Sequence, residues 1–223
     1  LRKRTYMRSH VALVLFAALT TLTTANAAEV GSVEIARWAD GELDSWRVER
    51  FSGDTKYAVV DEDGKRHLSA VADGTASGLF IEKQIDLGKT PWLTWSWRVK
   101  QPLSGLNERS KDGDDYAARV HVVISGGAFF WRTRALNYVW SGSQQSGRTW
   151  PNTFTDNARM IANCGVGDIV GEWVSEERNV LQDLREAFGE EITQIDAIAI
   201  MTDADNSGRR AAADYGPLHF SEP

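Results

Sequence analysis

Residues 92 to 100 read Trp-Leu-Thr-Trp-Ser-Trp-Arg-Val-Lys, and no other stretch limits the fold as sharply. Successive strand side chains point to opposite faces, so Leu93, Trp95, Trp97 and Val99 share one face while Thr94, Ser96, Arg98 and Lys100 share the other. One dry face and one wet face is the signature of an antiparallel sheet covered on a single side. The pattern returns along the chain. Tyr116, Ala118, Val120, Val122 and Ile124 alternate with Arg119 and His121; Leu136, Tyr138 and Trp140 oppose Asn137; Ala158, Met160 and Ala162 oppose Arg159 and Asn163. Asp73-Gly74 has hairpin turn chemistry and predicts that residues 67–72 pair with residues 77–87. Only Val180, Leu181, Leu184 and Phe188 recur at helical spacing, and Gly189 follows as a stop. Residues 215–220 form a closing strand. About eight to ten short strands and one short helix predict an all-β fold, a β-sandwich of jelly-roll type.

The first 27 residues read differently. Arg2, Lys3, Arg4 and Arg8 precede an uncharged apolar run, and Ala25-Asn26-Ala27 supplies the small residues of a cleavage site. The run is shorter than the ~20 residues that span a bilayer. The expectation is a cleaved signal peptide over residues 1–27, a single domain over residues 28–223, no transmembrane anchor, and a periplasmic or secreted bacterial protein. Without that segment the chain carries 21 basic and 31 acidic side chains, a formal charge of -10, which repels nucleic acid. Cys164 is the single cysteine and has no partner for an intramolecular disulfide.

If the strands are neighbours, their polar sides add up to one face carrying Arg98, Arg119, His121, Asn137 and Arg159. Three guanidiniums with amides suit a carboxylate-bearing or heavily hydroxylated ligand; a solvated sheet face is the plainer reading. Trp131, Trp140 and Trp150 fall in or beside a Gly- and Ser-rich region and are candidates to stack on sugars, or else to close the core. Asp203, Asp205, Ser207 and Asp214 follow the oxygen spacing of a calcium loop, with Gly208 at the sharp turn. Strand-like flanks argue against a helix-loop-helix, and the same residues also form ordinary turns. Asp112-Gly113-Asp114-Asp115 is a second acidic cluster, in which Asp114 and Asp115 beside Arg119 are the alternative acid-base pair. No nucleophile elbow or histidine metal spacing is present in the sequence.

The segments Thr94-Trp95-Ser96-Trp97-Arg98, Gly113-Asp114-Asp115-Tyr116-Ala117-Ala118-Arg119-Val120, Leu136-Asn137-Tyr138-Val139-Trp140 and residues 198–208 occur in an order that resembles an exported bacterial family labelled domain of unknown function 3047. That resemblance implies an exported single domain similar to the jelly-roll sandwiches of carbohydrate-binding modules. It carries over no catalytic residue. Three functions stay open: a non-catalytic module binding a glycan or small polar ligand, with a structural calcium; a glycan hydrolase or lyase; and an envelope protein that recognises a protein partner through its aromatic loops.

Overall fold

Strands with one apolar side need a second layer to dry it, and the computed structural model, which describes residues 31–128 and 132–223, supplies two. In chain order, the described residues form β1 (Ser32–Ala36), β2 (Arg47–Ser52), β3 (Lys56–Glu62), β4 (Lys65–Asp73), β5 (Ala76–Asp86), β6 (Trp92–Gln101), β7 (Arg119–Ile124), β8 (Arg134–Trp140), β9 (Thr149–Pro151), β10 (Ala158–Cys164), β11 (Val174–Asn179), helix α1 (Val180–Phe188), β12 (Gln194–Asp203) and β13 (Arg210–Ser221). One sheet runs β11-β6-β13-β4-β3, with β1 on the later half of β13; the other runs β2-β5-β12-β7-β8-β10-β9. Every pairing is antiparallel except that of β10 with β8. The fold is a jelly-roll β-sandwich. No helix of the described residues is long and apolar enough to cross a membrane. The expected signal segment and Trp131 lie outside the described residues.

On β6, β7 and β8 the core is the set of inner faces expected from alternation; on β10 the expected faces are reversed, with Ile161 and Cys164 joining the core while Met160 and Ala162 pack with Tyr116, Val139 and Trp150 in a second cluster. Leu93, Trp95, Trp97 and Val99 of β6 are buried against Val120, Val122, Leu136, Tyr138 and Trp140 of the opposite sheet. Ring contacts bridge the layers: Trp95 to Tyr138 at 5.3 Å and Trp97 edge-on to Trp140 at 6.0 Å between centroids. Packing of this kind adds roughly 0.5–1.5 kcal/mol per pair to the area buried.

Two further expectations change. The predicted hairpin does not form, because β4 belongs to one sheet and β5 to the other. Leu68, Ala70 and Ala72 face the core from their layer while Leu79 and Ile85 face it from the opposite one, so Asp73-Gly74 turns a corner between layers. Gly74 takes φ 61° there and donates its N–H to the Arg209 carbonyl at 2.8 Å. The strands also outnumber the expected eight to ten, since polar edges such as β2 and β11 lack the alternation that marks a strand.

Candidate functional site

The outer face of the β2-to-β9 sheet holds a cleft of about 590 Å³. Register builds its floor. Arg119 and His121 of β7 stand opposite Met201 and Ala199 of β12 on one side, and His121 pairs with Asn137 of β8 on the other. These outward positions are the polar half of the alternation whose apolar half fills the core. Walls come from loops: Asp114 ahead of β7, Asn152 and Phe154 between β9 and β10, and Asp205 and Asn206 after β12. Phe51 at the end of β2 and Phe154 lie at opposite edges of the sheet, 62% and 57% exposed, and both line the cleft.

Arg119 is the hub of one end. Its Nε donates to Asp203 Oδ1 at 2.8 Å, and its terminal nitrogen donates both to Asp203 Oδ2 and to the Asp114 carbonyl. The guanidinium also lies 4.2 Å from the Tyr116 ring centroid. A buried charge needs partners of this quality, because desolvation otherwise outweighs the attraction. Asp115 holds the neighbouring loop, accepting from the backbone N–H groups of Asn206 at 3.1 Å and Ser207 at 2.6 Å. Oxygens of Asp115, Asp203 and Asp205 lie within 4.8 Å of one another.

Two side chains at the cleft keep free acceptors. Asn137, 4% exposed, donates through Nδ2 to Met160 Sδ at 3.1 Å while its Oδ1 has no hydrogen-bond partner. Asp114, 6% exposed, accepts through Oδ2 from Asn152 Nδ2 at 3.2 Å, and its Oδ1 is likewise unpartnered. A buried acceptor without a donor costs about 1–3 kcal/mol, a cost that functional sites carry.

Burial and charge set protonation here. Burial, aided by the Arg119 guanidinium, lowers His121 to about 3, so it stays a neutral imidazole. Burial raises Asp114 against the pull of Arg119, and it raises Asp205 with help from the Asp115 carboxylate. Burial likewise pushes Asp203 upward while Arg119 opposes it.

Of the predicted ligand face, the structure brings together Arg119, His121 and Asn137 and separates the rest. Arg98 is on β6 in the other sheet, bonded to Asp214 at 2.7 Å and Glu62 at 2.9 Å, because a sandwich has two outer faces and alternation does not say which strand feeds which. Arg159 pairs in parallel register with Leu136, a core residue, so it starts on the inner side at the sheet edge and reaches over the Phe188 ring of α1. Trp140 is buried against Trp97, and Trp150 is buried with Tyr116, Val139 and Met160 beneath the cleft end. Trp131 lies outside the described residues.

The calcium-loop spacing does not assemble as a loop. Asp214 is on β13 in the other sheet, fully buried between Arg98 and Lys100, with Lys100 Nζ at 2.6 Å; burial works to raise its carboxyl and the hydrogen bonds from Lys100 and Arg98 overcome it, holding it below the ordinary value. Ser207 gives its backbone N–H to Asp115, and Asp115 takes the place near Asp203 and Asp205 that spacing assigned to Asp214. The Asp114 and Asp115 pair is divided as well: Asp114 faces the cleft, whereas both Asp115 oxygens are occupied by backbone N–H groups.

Phe51 and Phe154 belong to no motif that the sequence alone singles out. Their signal is visible in retrospect as lone rings among polar neighbours, Arg50-Phe51-Ser52 and Thr153-Phe154-Thr155, where no core alternation accounts for them.

Comparison with known proteins fits the fold. The family model described as Protein of unknown function (DUF3047) matches residues 44–219. No curated protein matches the chain. Among solved structures, the family 30 carbohydrate-binding module of a cellulosomal cellulase of Clostridium thermocellum superposes with TM-score 0.50 at 8% identity, covering 86% of this chain and 97% of that one. A family 11 carbohydrate-binding module from Clostridium thermocellum, in complex with a mixed-linked β-1,3-1,4 tetrasaccharide, gives TM-score 0.47 at 11% identity over 86% and 96% of the two chains. The xyloglucanase domain of NopAA from Sinorhizobium fredii gives 0.46 at 9% identity over 86% and 97%.

Proposed function

The chain belongs to the family of unknown function DUF3047, and from that premise we propose an exported, non-catalytic module that binds a saccharide in the cleft between Phe51 and Phe154. The observation that carries the reading is the pairing of two exposed rings at the rim with two unpartnered buried acceptors, Asn137 on the floor and Asp114 on the wall. Sugar rings present apolar C–H faces to aromatic rings and hydroxyl donors to oxygen acceptors, so one ligand class satisfies both features. The fold shared with the family 30 carbohydrate-binding module is consistent with this use of a sheet face.

Phe51→Ala and Phe154→Ala should each weaken binding to an array of soluble oligosaccharides about tenfold, with melting temperature unchanged because both rings are exposed. Undiminished binding in both variants removes the cleft as the site. Incubation of the wild-type protein with bound glycans should release no new reducing ends. A structural calcium is a separate part of the proposal, with Asp115, Asp203 and Asp205 as its carboxylates. It is tested by melting with calcium and with chelator.

A further inference from the structure

Several donors of the cleft are spent internally, while two of its acceptors are buried without a partner. Arg119 gives its Nε and a terminal nitrogen to Asp203 and to the Asp114 carbonyl. The Asn152 and Asn137 amides donate to Asp114 and to Met160. Arg134 at the far wall donates to Glu190 at 2.9 Å. What remains unpartnered is Asp114 Oδ1 and Asn137 Oδ1, with the half-buried Asp205 carboxylate at the same end.

Charge follows the same direction. Asp114, Asp115, Asp203 and Asp205 gather around the Arg119 guanidinium, so acidic groups outnumber the cation at this end of the cleft. Neutral His121 adds none.

We propose that the cleft selects saccharides carrying a free primary amine, seating the ammonium against Asp114 and Asp205, and rejects uronic-acid chains. This rests on the saccharide-binding reading of the same cleft. A hydroxyl brings one donor to an oxygen acceptor, whereas an ammonium brings three and the opposite charge. A carboxylate brings neither, and Arg119 has no terminal pair left to grip one in two-point fashion.

Calorimetry on the full mature chain, in chelated buffer at mildly acidic pH, compares glucosamine tetramer, N-acetylglucosamine tetramer, cellotetraose and galacturonic acid tetramer. The glucosamine tetramer should bind about tenfold more tightly than its acetylated counterpart, and the galacturonic acid tetramer should not bind. Asp114→Asn and, independently, Asp205→Asn should each erase the preference for the aminated over the acetylated tetramer. Asp205 is only half buried, so its variant retains the fold even if the Asp114 variant does not. Equal binding of the aminated and acetylated tetramers overturns the amine inference and leaves the saccharide reading standing. Failure of all four tetramers to bind the folded wild-type protein overturns both.

Discussion

At the scale of single residues, Arg119 ties three segments together. Replacing it with Leu leaves the Asp203 carboxylate buried without a counter-charge and frees the Asp114 carbonyl, so the loss should be about 3–5 kcal/mol by urea denaturation. Substituting Leu for both Arg119 and Asp203 should cost less than either single change, because no lone charge then stays inside. His121 makes a prediction of opposite character. Its folded value is about 3 against an ordinary 6.5, so between these values the unfolded chain holds a proton that the native fold does not. Stability from this group is therefore present above about 6.5 and falls as pH drops toward 3. Over the interval from pH 7 to pH 5 it should contribute a loss of about 2 kcal/mol that the His121→Gln variant lacks. The raised carboxyls of Asp114 and Asp205 titrate with the reverse sign, so the comparison that matters is wild type against variant at each pH. An unchanged slope in the variant would show that the imidazole is protonated in the folded state.

At the scale of elements, what the sequence disclosed was periodicity, and what it hid was partnership. The face of β6 that packs inward was legible residue by residue, as were the polar positions Arg119, His121 and Asn137 on β7 and β8. Whether two such strands share a layer depends on pairings distant in sequence, and alternation contains no information about them. For that reason alternation alone groups Arg98 and Asp214 with residues of the opposite sheet, and turn chemistry alone makes the Asp73-Gly74 corner a hairpin. Helix α1 was legible because its signals are local: Asn179 caps it by accepting from the Gln182 N–H at 3.0 Å, and Gly189 ends it at φ 69°. Asn179→Ala should cost about 1 kcal/mol by removing that cap, whereas Asn179→Asp should preserve most of it. Equal stability of the alanine variant would mean that packing of Val180 and Leu184 alone sets the helix start.

At the scale of the whole molecule, the two outer faces of the sandwich differ in how they resolve their charge. On the β6-side face, Asp214 is answered by Arg98 and Lys100, so its carboxyl is held low and no cation is missing. On the cleft face, four aspartates meet one arginine, and burial raises the carboxyls of Asp114, Asp203 and Asp205. A cation from solution can supply what the chain does not, and calcium prefers an all-oxygen corner of this kind. A ligand that binds only the folded state stabilises it by RT ln(1 + [L]/Kd), about 2.7 kcal/mol at a hundredfold excess over Kd. For a domain of this size that corresponds to a rise of roughly 5–10 °C in melting temperature when calcium replaces chelator. The Asp205→Asn variant should lose that rise, while Asp214→Asn, on the opposite face, should keep it despite a lower starting stability. If wild type melts alike with calcium and with chelator, Arg119 is the only cation this corner holds in the free protein. If calcium does raise the melting point, it should also weaken the glucosamine tetramer in proportion, since both cations draw on the Asp205 carboxylate.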